Sequence, residues 1–201
     1  MHDFLIRHAN FPDGRSDMAL GLKDGLIAAI GPDADLANHT CAQTLDAAHQ
    51  LISPAFVDAH FHLDSARRFG QPRVNTSGTL REGIALWGEL KPTLTRESIE
   101  ETASSYCRWA IANGILAIRS HVDTSDSRLL AVEALLNVAA KFKPWLDLQL
   151  VAFPQDGLLR HQGARDNLIR ALDMGVQVVG GIPHFERTTD EGTQSIEWLC
   201  R

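Results

Sequence analysis

Cysteine is scarce in this chain and shows no pairing pattern. Its three cysteines, Cys41, Cys107 and Cys200, are scattered, odd in number and nowhere spaced as Cys-x-x-Cys. That argues against a disulfide-stapled secreted scaffold and for reduced thiols in a cytoplasmic setting. Long apolar runs are also missing. The opening MHDFLIRHAN has no apolar signal core, and no run approaches the length of a membrane span, so no membrane partner is expected. Basic clusters and aromatic ladders are absent and the net charge is -6, which argues against a nucleic-acid or anionic-membrane surface. What remains suits a globular protein. The 201 residues, 44% hydrophobic and 22% charged, can build a sizeable core in one large or two small domains.

The most informative stretch is Leu51–Asp64, LISPAFVDAHFHLD. It reads as a strand buried on both faces, ending in His60-Phe61-His62. On an extended strand residues i and i+2 point the same way. His60 and His62 therefore aim side by side from one strand end, with Phe61 turned back into the core. Two neutral imidazoles held this way can share one divalent ion. A bare His-x-His is a weak motif. Its place at the C-terminal end of a buried strand strengthens it, because parallel sheets carry their chemistry there.

Residues 1–50 read as a small β module. Phe4–Ile6 is one short strand, and Ala19–Leu22 and Leu26–Ile30 flank Lys23-Asp24-Gly25, a hairpin signal. A long connection, Ser65–Pro92, follows the His-x-His strand and carries turns around Trp87. Connections of that length cover sites or carry specificity. From Thr95 the pattern is regular. A helix capped at Thr95 closes at Asn113-Gly114, and a second runs from about Asp126 to Lys143. A third spans about Ala164–Met174, and a last one starts near Thr193. Strands are expected near 55–60, 115–121, 147–153 and 176–182. Strand–helix alternation at about thirty-residue spacing predicts right-handed βαβ units in a parallel sheet. The polar residues His60, His62, His121, Asp123, Gln155 and His184 all fall at strand C-terminal ends, the catalytic face of a barrel.

The fold class expected is α/β, the first half of a (β/α)8 barrel over residues 51–201 behind the small β module. A full barrel needs about 250 residues. The last helix reaches Arg201 without a stop signal, so the expectation is a chain cut after half a barrel. Open strand edges would favour aggregation or pairing with another chain, a second copy included.

These segments resemble the amidohydrolase superfamily, and within it the bacterial cytosine deaminases. FVDAHFHLD is similar to the family's first-strand metal motif. GQPRVNTSGTLREGI, RSHVDTSD, PWLDLQLVAFPQDG and VVGGIPHFE resemble cytosine deaminase segments in the same order. The resemblance implies a distorted (β/α)8 barrel with an attached β-sandwich. It implies His60 and His62 as ligands of one divalent ion, iron or zinc. It implies Gln155 against a small pyrimidine substrate and the backbone near Leu80 touching it. His184 is expected to line the pocket. His121 and Asp123 match a strand end that does not itself ligate the ion in the family, and are expected to support the ligands.

The resemblance also implies what is missing. The family's third metal-binding His, its proton-shuttling Glu, a further His and a metal-bound Asp come from strands five, six and eight. Glu186 and His184 follow strand four and do not replace them. The expected reaction is metal-dependent deamination of cytosine to uracil and ammonia, with these 201 residues inactive alone. The alternatives are a related ring, such as an aminotriazine or isoguanine, and a non-catalytic fragment needing a partner chain.

Overall fold

The structure is a computed structural model and describes residues 2–201. It divides into two compact units, one ending at Pro54 and one spanning Ala55–Arg201.

The first unit is a four-stranded sheet of β1 (His2–Ala9), β2 (Met18–Lys23), β3 (Leu26–Pro32) and β4 (Cys41–Asp46), in the order β3-β2-β1-β4. β2 and β3 form the hairpin expected at Asp24-Gly25. Lys23 pairs with Leu26, and both turn residues take positive φ, 52° and 75°. Such a turn matches the twist of its flanking strands. β1 runs antiparallel to β2 and parallel to β4. A one-turn helix, α1 (Asp33–Leu36), sets Leu36 against Leu5 and Ala19 in the unit's own small core.

The second unit carries the parallel sheet that strand–helix alternation predicts. β5 (Phe56–Phe61), β6 (Ile115–Asp123), β7 (Asp147–Phe153) and β8 (Val178–Val179) lie side by side in chain order, each pair parallel. Five helices accompany them: α2 (Leu80–Leu90), α3 (Arg96–Ala112), α4 (Leu130–Phe142), α5 (Ala164–Asp173) and α6 (Thr189–Leu199). Consecutive parallel strands with helices between them make this a partial TIM-like barrel wall. α3 starts where its sequence says. The Thr95 hydroxyl accepts from Ser98 N and the Ser98 side chain returns the bond to the Thr95 backbone, a complete capping box. It stops at Gly114, whose φ is +78°. The core between sheet and helices is built on fully buried Ile118, Val122, Leu135, Leu150 and Leu168. Phe61 stacks on Tyr106 with ring centroids 4.2 Å apart, so it does turn away from its histidine neighbours.

Several expectations are corrected. β5 is not buried on both faces: Phe56 is 62% and Val57 69% exposed. The strand pairs only with β6 among the described residues, so half of its surroundings are open. The connection after it is not all loop. Leu80–Leu90 is a helix, with the Thr79 side chain accepting from Glu82 N. Asp126 does not cap α4. Its carboxylate accepts from the Arg128 backbone and guanidinium, and the helix begins only at Leu130, after Leu129 in the left-handed region. α6 begins at Thr189, capped by Thr188, not near Thr193. The strand expected over 176–182 shrinks to Val178–Val179. Val176 N is taken by Ala171 O at the end of α5. At Gly180 the backbone runs so close to β7 that a Cβ would stand 2.7 Å from the Val151 side chain.

Candidate metal and substrate site

Three imidazoles meet at the C-terminal ends of β5 and β6. The strand alternation of His60 and His62 sends both to one side, and β6 brings His121 alongside. Ring centroids lie 5.5 Å apart for His60 and His62, 4.2 Å for His60 and His121, and 5.4 Å for His62 and His121. One ring nitrogen from each falls within 4.8 Å of the other two. Phe153, at the end of β7, packs edge-on against His62 and His121.

The electrostatics suit a cation. Burial, reinforced by the neighbouring His121 and His60, pushes His62 down to about 4. Burial and then His60 also lower His121. Both are thereby held as neutral imidazoles, the form that ligates metal. The His121 Nδ1 is buried without a hydrogen-bond partner among the described residues. A buried, unpaired nitrogen is costly unless something fills it. The donor set, imidazole nitrogen only, fits zinc or iron.

Carboxylates knit the turn behind the histidines. Asp64 is buried, and its oxygens accept from Asp123 N at 2.8 Å and Ser65 N at 2.9 Å. Burial pushes it up to about 7. Both of its oxygens are committed to backbone amides, so it holds the turn. Asp123 ties in a wider circle. Its Oδ1 accepts from Ser125 N at 2.7 Å, and its Oδ2 accepts from Trp87 Nε1 at 2.6 Å and Lys91 Nζ at 3.2 Å. Lys91 also pairs with Asp156. Burial opposes the Lys91 charge, but Asp123 and Asp156 outweigh it and hold the ammonium above its usual range.

A cavity of about 310 Å³ opens beside this cluster. Its lining includes His62, Asp64, Arg68, Leu80, Trp87 and Gln155, with Ile84 beside Leu80 on the same helix. The structure thus brings His62, Leu80 and Gln155 together, with Asp123 behind Trp87. His184 lies elsewhere, in a separate hollow with Glu186 and Thr188. Sequence reasoning missed Asp64, Ile84, Trp87 and Lys91 as contributors. Thr79-x-x-Glu82, with Leu80, Ile84 and Trp87 at helical spacing, was the available signal for the helix. In the first unit His8, Asp17 and Asp33 also cluster. There the Asp33 carboxylate already receives the Arg7 guanidinium in two bonds of 3.1 and 2.5 Å, so a cation is in place.

The sequence profile of the Amidohydrolase family matches residues 43–196. The chain belongs to that family. It is similar over 97% of its length to the 5-methylcytosine deaminase of Klebsiella pneumoniae solved with 5-fluorocytosine, with 38% identity and a TM-score of 0.90, covering 47% of that chain. It resembles the N-isopropylammelide isopropylaminohydrolase of Burkholderia multivorans over its whole length, with 25% identity and a TM-score of 0.74, covering 52% of that chain. Among curated relatives, the N-isopropylammelide isopropyl amidohydrolase of Pseudomonas sp. (strain ADP) is 29% identical over 95% of this chain and 48% of its own length. The chain spans about half the length of these relatives. No helix among the described residues is long and apolar enough to cross a membrane.

Proposed function

We propose that this chain, completed by the strands its relatives carry beyond the half it matches, hydrolyses the exocyclic C–N bond of an aminopyrimidine, converting cytosine or 5-methylcytosine to the oxo ring and ammonia. The observation that carries the reading is the 38% identity and 0.90 TM-score to 5-methylcytosine deaminase. It is supported by the shared cavity of His62, Leu80 and Gln155.

His60 and His62 would hold one divalent ion, iron or zinc, with His121 packed against both and Asp64 fixing the turn they leave. A bound ion of this kind supplies a water acidified to a pKa of about 7. The chain's own residues bind and orient the ring. Gln155 presents an amide that can both donate to and accept from a pyrimidine edge. Held at the cavity wall, it would fix the ring for attack, a gain through orientation. Leu80, Ile84 and Trp87 give an apolar wall that excludes water from the ring face.

A second reading is favoured by the curated relative that covers most of the chain: removal of an alkylamine from an aminotriazine. The gene product, metallated with zinc or iron, distinguishes the two. Ammonia released from cytosine or 5-methylcytosine supports the first. Isopropylamine released from N-isopropylammelide, with no ammonia from cytosine, would replace it by the second.

A further inference from the structure

The segment after β8 clasps the segment after β7. Glu186 is 9% exposed, and its carboxylate faces three consecutive backbone amides. Leu158 N donates to Oε1 at 2.6 Å, Leu159 N to both oxygens at 3.2 Å, and Arg160 N to Oε2 at 2.9 Å. Successive amides converging on one anion form a nest, and charge-assisted bonds of this kind are the strong ones. Two more ties follow. The Arg160 guanidinium lies 4.6 Å over the Phe185 ring and donates to Phe185 O at 3.2 Å. Arg187 donates to Arg160 O at 2.9 Å. Gly157 permits the approach. Its φ is +92°, and a Cβ there would stand 2.9 Å from the Arg160 Cβ and 3.1 Å from Glu186 Oε2.

Gln155 stands three residues before Leu158, the first amide of this clasp. On its other side Asp156 N donates to Ser125 Oγ at 2.9 Å and the Asp156 carboxylate pairs with Lys91. The two residues are therefore bracketed, by Glu186 downstream and by Ser125 and Lys91 alongside. Burying a carboxylate is unfavourable unless its lone pairs are filled, and here the backbone fills them. That commits Glu186 to shaping the turn and leaves it no free lone pair aimed at a ligand.

We propose that Glu186 is a positioning residue for Gln155: its carboxylate fixes the turn at 158–160 and so fixes where the Gln155 amide stands in the cavity. The inference rests on the reading of Gln155 as the group that holds the ring. The test uses the gene product in three forms, E186Q, Q155A and the double variant, with cytosine as substrate. Glutamine keeps the shape but turns one acceptor oxygen into a donor facing the nest. E186Q should lower kcat/KM on the order of tenfold to a hundredfold, the scale of a displacement of about 1 Å. Bound zinc should be unchanged, and the amides of 158–160 should exchange hydrogen faster. The double variant should fall no lower than Q155A, since both changes spoil one group. A purely structural role would instead make the losses multiply. Losses that multiply, or a damaged Q155A beside a fully active E186Q, would overturn this inference alone. A fully active Q155A would overturn the Gln155 reading and this inference with it. Arg187→Met, which removes an exposed tie to the same turn, serves if E186Q does not fold. It should show a smaller loss that again vanishes in the Q155A background, and additive losses there would count as refutation.

Discussion

The indole Nε1 of Trp87 donates to Asp123 Oδ2 at 2.6 Å, and so pins α2 to the end of β6. The same oxygen receives Lys91 Nζ, which follows directly after α2. Trp87 lies 36 residues upstream of Asp123, and its helix contributes Leu80, Ile84 and Trp87 to the cavity wall. One carboxylate thus seats a wall of the cavity.

Trp87→Phe tests that seat. Phenylalanine keeps much of the apolar contact and removes the donor. A hydrogen bond to a charged group contributes about 1.5–3 kcal/mol, so unfolding of a chain this size should move down by about 3–12 °C. Affinity for 5-fluorocytosine should fall as well, with bound metal unchanged. A variant with the parent's melting temperature and affinity would show that Lys91 alone seats the helix.

The three imidazoles should differ in weight. His60→Ala and His62→Ala should each abolish bound zinc or iron after dialysis against a chelator. His121→Ala should weaken binding by about 10–100-fold, the usual scale for a group that supports ligands without being one. Metal analysis and titration calorimetry read both. If His121→Ala empties the site as fully as His60→Ala, its unpaired Nδ1 marks it as a ligand.

How much of this is legible in the sequence follows from the range of the interactions. Alternation along a strand is local, so the shared side of His60 and His62 can be read directly. So can the hairpin at Asp24-Gly25 and the capped start of α3 at Thr95. α2 escapes such a reading although its capping signature is present. Gly83 and Gly88 lie within it and Gly78 stands just before. Glycine is unfavourable in a helix by about 1 kcal/mol relative to alanine. Tertiary contact decides the matter there, through Trp87 and Asp123. The role of Glu186 lies 26 to 28 residues from its partners in sequence, and no local pattern announces it. The short β8 is a packing outcome too, since the closeness of Gly180 to Val151 is invisible without coordinates.

Gln155→Ala should separate orientation from metal binding. The residue lines the cavity beside His62, and its neutral amide is a poor ligand for zinc or iron beside imidazoles. Turnover of cytosine should fall on the order of a hundredfold while metal content stays at the parent level, because the loss is one of ring orientation. Metal lost along with turnover would mean that Gln155 supports the ligands, and the assignment would have to be redrawn.

Glu82 gives the last prediction, one of pH. Its carboxylate anchors the loop that leads into α2, accepting from Ser77 N at 2.7 Å and from Arg73 Nη1 at 2.7 Å. Hydrogen bonds from Ser77, through its side chain first and its backbone next, and then from Arg73, hold Glu82 at about 2 instead of 4.5. A carboxylate whose folded pKa is depressed contributes stability that is fully present above the unfolded value. That contribution is lost as pH falls through the folded value. The anchor should therefore be intact at pH 5 and above, weaken below about 4.5 and be gone near 2. Hydrogen exchange at the Ser77 amide, corrected for its intrinsic pH dependence, should lose protection across that window. Glu82→Gln should show the unprotected rate already at pH 7, with no acid transition of its own. Because Leu80 and Ile84 follow this anchor directly, the same variant should bind 5-fluorocytosine more weakly at neutral pH. Protection at Ser77 that survives in Glu82→Gln, or that the parent loses only together with global unfolding, would show that the loop is held by something other than this carboxylate.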